Sequence, residues 1–178
     1  MLPSAEDLKQ SLLNLAPTKD AVSGVKAFVK VIADFSNQIQ GGPLGTPGIL
    51  TFGNEAMEAI LLTMQPVKDD SWIVPFSNSW EAGILTSIIS AGTISNPAIW
   101  LGSLVDVDTL PTAEATILTL PAAKAVLIAE LANVKPDSNA PLPLATAIRD
   151  ATLALVFNAI GIGVIPPGLP IPVPTPAQ

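Results

Sequence analysis

The chain contains no histidine and no cysteine. Without imidazole the commonest general base near neutral pH is missing, and without a thiol there is no sulfur nucleophile, no disulfide frame and no thiolate zinc site. Tyrosine is absent too, and aromatic residues make up only 4% of the sequence. Charge is scarce: Asp, Glu, Lys and Arg together reach 13%, against about 25% in a typical soluble domain, while apolar residues reach 49%. So few charges cannot clothe a monomer in the usual way, and much of the surface is expected to meet other subunits. The eight Lys and Arg stand singly from Lys9 to Arg149 under a net charge of −7. They make no stripe that could neutralise phosphates, so nucleic acid is not an expected partner.

Catalytic signatures are missing as well. There is no Gly-x-Ser-x-Gly elbow, no phosphate-binding Walker loop and no Gly-x-Gly-x-x-Gly after a strand. Asp106-x-Asp108 with Glu114 sits near the offsets of a calcium loop, but Leu110 takes a ligand position, Pro111 replaces the required Gly and Ile117 replaces the bidentate Glu. Glu55 with Glu58, and Asp69-Asp70, read more simply as carboxylates favouring helix N-termini than as acid pairs. Lys124, in the first turn of a helix after Pro121, reads as a solvated lysine rather than a Schiff-base former. No catalytic residue, metal or cofactor is therefore expected, and the chain is not expected to be an enzyme.

The start, Met1 to Asp7, has neither the basic nor the apolar region of a signal peptide, so cytoplasmic synthesis is expected. Two uncharged stretches, Ala82 to Val105 and Ala151 to Gln178, are weak membrane candidates. Gly92, Asn96 and Pro97 cut the first; the second runs about 15 residues before Pro166-Pro167, roughly 22 Å of helix against a ~30 Å hydrocarbon core. No membrane partner is expected.

What is present is helical. Trp72 to Gly92 organises the chain: Trp72, Phe76, Trp80, Ile84 and Ile88 recur at i+4 with Ile73, Leu85 and Ile89 beside them, which predicts one long core helix. Ser71 is its expected N-cap, Pro75 falls in the first turn and Gly92 ends it. The stripe of Trp72, Phe76 and Trp80 reads first as core and second as the lining of a groove for an apolar ligand.

Before it, Ser4 with Asp7 forms a capping box for a helix to Leu15 carrying Leu8, Leu12 and Leu13. A second helix spans about Asp20 to Gln40 with Val22, Val25, Val29, Ile32, Ser36 and Ile39 inward. Ile49 to Phe52 reads as a short extended crossover, and Thr51 or Asn54 as the cap of a third helix to Met64. After it, Thr93 to Leu110 reads as a loop with a short hairpin, and Pro111 as opening a helical turn through Ala115. Thr119 and Pro121 start a helix to Asn133 with Ala125, Ile128, Ala129 and Ala132 at its contacts. Val134 to Pro143 is a linker, and a last helix runs from Leu144 to Ile160.

The expected fold is mainly α: a bundle of about five to six helices with Pro/Gly-rich crossovers, one short β-hairpin or extended loop, and an extended C-terminal arm. Residues 1–163 form the helical domain, with two repeated helix-pair units at 20–70 and 71–142, echoed by Phe35-Ser36-Asn37 and Phe76-Ser77-Asn78. Residues 164–178 form the arm. Its alternating prolines favour polyproline II and argue against a sheet ladder, yet Ile165, Leu169, Ile171 and Val173 stand between them where a disordered linker carries polar residues. Burying these four returns roughly 6–12 kcal/mol, comparable with ordering about a dozen residues at ~1 kcal/mol each, so the arm is expected to dock, with a neighbouring subunit as the first choice and its own domain as the second.

Phe-Ser-Asn-Ser-Trp-Glu-Ala-Gly-Ile (76–84) beside Ser-Ala-Gly-Thr-Ile (90–94), in a short acidic chain whose helices close on Gly–Pro crossovers, resembles the small Ala/Pro-rich helical structural proteins of tailed bacteriophage virions. The resemblance rests on texture over about Leu12 to Pro166. It implies a non-enzymatic assembly protein of a virion, in capsid decoration or the tail or baseplate, made in the host cytoplasm. It also implies a homo-oligomer or lattice subunit with other virion proteins as partners, and Trp100, Ile165, Leu169, Ile171 and Val173 are the expected contact residues. The alternatives are a helical module for an apolar ligand and a membrane-associated protein.

Overall fold

The computed structural model describes residues 2–39, 50–65, 69–89, 92–93, 112–117, 119–134, 141–162 and 172–176. The protein is mainly helical. Six α-helices lie among these residues: α1 (Ala5–Leu13), α2 (Ala21–Ser36), α3 (Asn54–Leu61), α4 (Ile73–Leu85), α5 (Leu120–Leu131) and α6 (Pro141–Leu153). A 3-10 turn, Asp70–Trp72, leads into α4. The strands are β1 (Leu50–Thr51), β2 (Ile88–Ile89), β3 (Gly92–Thr93), β4 (Thr112–Ile117), β5 (Val156–Ile162) and β6 (Pro172–Pro176). β1 pairs with β2, and the other four form an antiparallel sheet in the order β3-β4-β5-β6. The helices form a bundle: α3 packs on α4, α4 on α5, α5 on α6, α6 on α1, and α2 against α1 and α3.

Local chemistry explains the starts. Ser4 accepts from the Asp7 N–H while the Asp7 carboxylate accepts from the Ser4 N–H at 3.0 Å, the reciprocal capping box expected for α1. Asp20 caps α2 by accepting from the Ser23 N–H at 2.8 Å. α3 begins after Gly53 with no side-chain cap, so neither Thr51 nor Asn54 has the capping role expected of it. Ahead of α4 the cap is Asp69, on the 3-10 turn and two residues earlier than expected: it accepts from the Ser71 N–H at 3.1 Å, and the Ser71 hydroxyl donates to the same carboxylate. Pro141 and Pro143 lie in the first turn of α6 rather than in a linker, where a missing N–H breaks no helical bond.

The interior is built by the central stripe. Trp80 and Ile84 are fully buried and Phe76 nearly so, among Met57, Val29, Ile32, Leu127, Leu131, Ile148 and Leu155. The stripe ends sooner than its period predicts. α4 stops at Leu85, not Gly92: the Thr86 hydroxyl donates back to the Ala82 carbonyl at 2.7 Å and the Ser87 hydroxyl to that of Gly83 at 2.7 Å, and the chain beyond is taken up by pairing with β1. Ile88 and Ile89 then pair with Thr51 and Leu50 as β2, which leaves Ile88 70% exposed and Leu85 65% exposed.

Three other elements differ from expectation. Residues 112–115 belong to β4, not to a helical turn; Thr112, Thr116 and Ile117 are β-branched and pair with Ile162, Asn158 and Phe157. The last helix ends at Leu153, and Val156 to Ile160, expected to be helical, is β5. Helix α5 buries Leu120, Ala123, Leu127 and Leu131, while Ala125, Ala129 and Ala132 are exposed. Leucine buries more apolar surface than alanine, so the larger side chains choose the inward face.

The C-terminal segment is extended, and residues 172–176 form the edge strand β6 on β5 of the same chain. Proline at every second position permits this where the sequence argued against it. Alternate residues of an antiparallel strand aim their N–H groups at opposite sides, so Val173 and Thr175 are left to serve the ladder while Pro172, Pro174 and Pro176 face the outer edge, where no donor is required.

Candidate functional site

An open groove of about 490 Å³ runs between α2, the end of α3, the 3-10 turn with the start of α4, and the start of α6. Its walls come from local signals. The Asp20 cap begins α2 so that Gly24, Val25 and Phe28 share the groove side, while Val29 and Ile32 turn to the core. Gly24 keeps the N-terminal end of this wall close to the preceding loop: a Cβ there would lie 3.0 Å from the Thr18 hydroxyl. The Asp69 cap fixes the 3-10 turn and so sets Trp72 over the groove with Phe76 one turn on. Leu61, Met64 and Gln65 close one side and Leu144 another.

Three rings form its floor. Phe28 and Phe76 meet edge to face with centroids 6.2 Å apart at 60°, and Trp72 and Phe76 at 5.9 Å and 65°. Each such contact adds about 0.5–1.5 kcal/mol beyond the area it buries, so the rings hold one another in place. Phe76 is buried; Phe28 and Trp72 are half-buried and offer their remaining surface to the groove. Gln65 is the one polar side chain among the lining residues. The volume lies within the ~300–1,000 Å³ of small-molecule pockets. Among the described residues its walls carry no titratable side chain, and what they offer is apolar surface.

The carboxylates that shape it titrate low. Hydrogen bonds from the Ser23 backbone and hydroxyl hold Asp20 below the usual carboxylate range, and those from the Ser71 hydroxyl and backbone do the same for Asp69.

No family model, curated protein or solved structure matches this chain.

The other candidates from the sequence fall elsewhere. Trp72 and Phe76 line the groove, but Trp80 is fully buried and belongs to the core. Lys124 is partly exposed and ion-paired: its Nζ lies 2.6 Å from Glu81 Oε2, both half-buried, and ties α5 to α4. A smaller cleft of about 190 Å³ between α1 and α2 contains Asp7 and Asp34, but Asp7 is engaged with Ser4 and Asp34 is paired with Lys30 at 2.6 Å. Among the described residues no cluster of three or more acidic side chains could hold a metal ion. No helix among them is long and apolar enough to cross a membrane.

The two Phe-Ser-Asn echoes share part of their geometry. Phe35 with Ser36 and Phe76 with Ser77 are all buried, and neither serine hydroxyl has a partner among the described residues. The asparagines diverge: Asn37 accepts from the Phe52 N–H at 2.8 Å, whereas Asn78 is exposed.

Of the expected contact residues, Val173 lies in β6, paired with Ala159. Trp100, Ile165, Leu169 and Ile171, and with them Asp106 and Asp108, lie outside the described residues. Of the lining residues the sequence offered only Trp72 and Phe76 as a groove; Gly24, Val25, Phe28, Leu61, Met64, Gln65 and Leu144 were not read that way, and the i, i+3 pair Val25 and Phe28 was the available signal.

Proposed function

We propose that this chain is a non-enzymatic assembly subunit acting through contacts with copies of itself and with other proteins. The setting is the one its resemblance implies: the particle of a tailed bacteriophage, as a capsid-decorating, tail or baseplate component. The observation that carries the reading is large apolar surface left in water on a chain with few charges to offset it. Ile88 is 70% exposed, Leu85 65%, Leu13 54% and Val74 53%. Leu85 and Ile88 stand together where α4 passes into β2. Covering that pair returns roughly 2–4 kcal/mol, enough to favour a subunit contact once other residues share in it.

Introducing charge there tests the reading. Leu85→Lys with Ile88→Lys is expected to leave the far-ultraviolet circular dichroism unchanged and to shift the chain to a smaller species in light scattering after gel filtration. An unchanged assembly state would remove this surface from the argument.

A second reading, a module for an apolar ligand, is favoured by the aromatic groove. It separates from the first by what fills the groove: a small apolar molecule binding to the isolated chain supports the second reading, and blockage of the groove on assembly supports the first.

A further inference from the structure

The exposed apolar surface of this chain is gathered at two places. Of the seven large apolar side chains exposed among the described residues, Val22, Leu62, Val74 and Leu142 each stand within two residues of a groove-lining residue, one on each segment that walls the groove. Leu85 and Ile88 are the second group, and only Leu13 belongs to neither. The two groups lie at opposite ends of α4. Met64 shares the groove with Trp72 and Phe76 at its start, while the Gly53 N–H donates to the Gly83 carbonyl at 3.0 Å near its finish, so α3 runs back along it. The 13 residues of α4, at a rise of about 1.5 Å each, set these ends roughly 20 Å apart.

The two ends also differ in shape. One is hollow, a groove of about 490 Å³; at the other Leu85 and Ile88 project, 65% and 70% exposed. We propose that the groove of one copy receives Leu85 and Ile88 of the next, so that copies of this chain join head to tail. The proposal deepens the assembly reading and rests on it.

Three observations carry it. Complementary form is the first. Two hollows facing each other enclose a void whose lining atoms lose their contacts, and two projections touch over little area, whereas a projection seated in a hollow fills it. Charge is the second. No charged side chain lines the groove and residues 82–93, around Leu85 and Ile88, contain none, so the contact buries no ion, as in the charge-depleted cores of protein interfaces. The rim is the third. A small molecule held in the groove would leave Val22, Leu62, Val74 and Leu142 in water around it, whereas a second protein surface covers rim and groove together.

Symmetry then dictates the product. A contact between two different patches is heterologous, and its repetition builds a ring where the rotation closes and a filament where it does not.

The absence of cysteine makes the test clean. Met64→Cys on the groove wall and Leu85→Cys on the projection are made as separate chains, mixed in equal amounts, joined with a short bifunctional thiol reagent and resolved by denaturing electrophoresis with peptide mapping. The expected result is a mixed 64–85 dimer several-fold more abundant than either the 64–64 or the 85–85 dimer. Homodimers in excess, or a mixed dimer at no more than its statistical share, overturns the proposal. Bulk supplies a second measurement: folded Met64→Cys carrying a bulky thiol label should sediment as a smaller species than the same chain unlabelled, and an unchanged sedimentation coefficient overturns the proposal. Val25→Cys with Ile88→Cys gives the same readouts if the first pair does not fold. An apolar dye that binds the assembled protein as fully as the dissociated chain overturns it too, and gives the groove to a small molecule. Sedimentation of the unmodified chain separates the two levels. Assembly without enrichment of the 64–85 dimer removes the head-to-tail contact and leaves the assembly reading; a monomer throughout removes both.

Discussion

Gly83 sits inside α4, where replacing glycine by alanine ordinarily stabilises a helix by about 1 kcal/mol. The structure predicts the opposite sign. A Cβ on Gly83 would lie 2.1 Å from Phe52 Cζ, 2.5 Å from Cε1 and 2.8 Å from Cε2, against carbon contacts of about 3.5–4.0 Å. The ring would have to retreat by roughly 1.4 Å, and it is held: Phe52 is 4% exposed, its N–H donates to Asn37 Oδ1 at 2.8 Å, and the next N–H, of Gly53, donates to the Gly83 carbonyl at 3.0 Å. A 2.1 Å contact puts the overpacking in the upper part of its usual range, about 2–3 kcal/mol, so after the helical gain of about 1 kcal/mol Gly83→Ala is expected to destabilise the fold by about 1–2 kcal/mol net. Urea unfolding followed by tryptophan fluorescence reads this as a midpoint lowered by roughly 0.5–1 M at an m-value near 2 kcal/mol/M. A second measurement isolates the cause. In a Phe52→Ala background the ring is gone, so adding Gly83→Ala should regain its helical benefit and raise the midpoint. If Gly83→Ala alone leaves the midpoint unchanged or raises it, the close packing of Phe52 on bare α4 backbone is refuted.

Other outcomes follow from the caps, the rings and the edge strand. Asp20 and Asp69 have folded-state pKa values below their unfolded ones, so their contribution is present above the unfolded value near 3.9 and is lost as pH falls through the folded values. Asp20→Asn with Asp69→Asn should therefore flatten the stability loss between neutral and strongly acid pH, and an unchanged acid unfolding curve counts against the capping account. Trp72→Ala removes one of the two ring contacts and part of the groove wall; an apolar dye titrated against the chain should bind about three- to tenfold more weakly, and equal binding would place the dye elsewhere. Replacing Pro172, Pro174 and Pro176 together by Thr restores outward N–H groups on β6. That variant should form thioflavin-positive aggregates where the unmodified chain does not, and a soluble variant would show that proline is not what blocks the edge.

The sequence made legible whatever is settled within a turn or two of chain. The Ser4–Asp7 box, the inward run of Val29, Ile32 and Ser36, and Trp80 at the centre are all local patterns with one reading. It failed where the decision is made by a distant partner. Ile88 and Ile89 continue the i+4 stripe, and only their pairing with Thr51 and Leu50 makes them a strand. Val156 to Ile160 is equally apolar as helix or strand until β4 lies beside it. Apart from Lys124 and Glu130, helix α5 spreads its apolar residues evenly around its axis, so its period could not choose a face; the volumes of Leu127 and Leu131 did. The groove was half visible: Trp72 and Phe76 announced an aromatic stripe, but its other wall comes from α2 and α6, far away in sequence.

The central claim, that this chain works through subunit contacts, is tested most directly by sedimentation velocity of the full chain over a wide range of concentration. A discrete oligomer, or an assembly that grows with concentration, is the predicted result. A single monomeric species at every concentration contradicts it and moves the aromatic groove, with its apolar ligand, to first place.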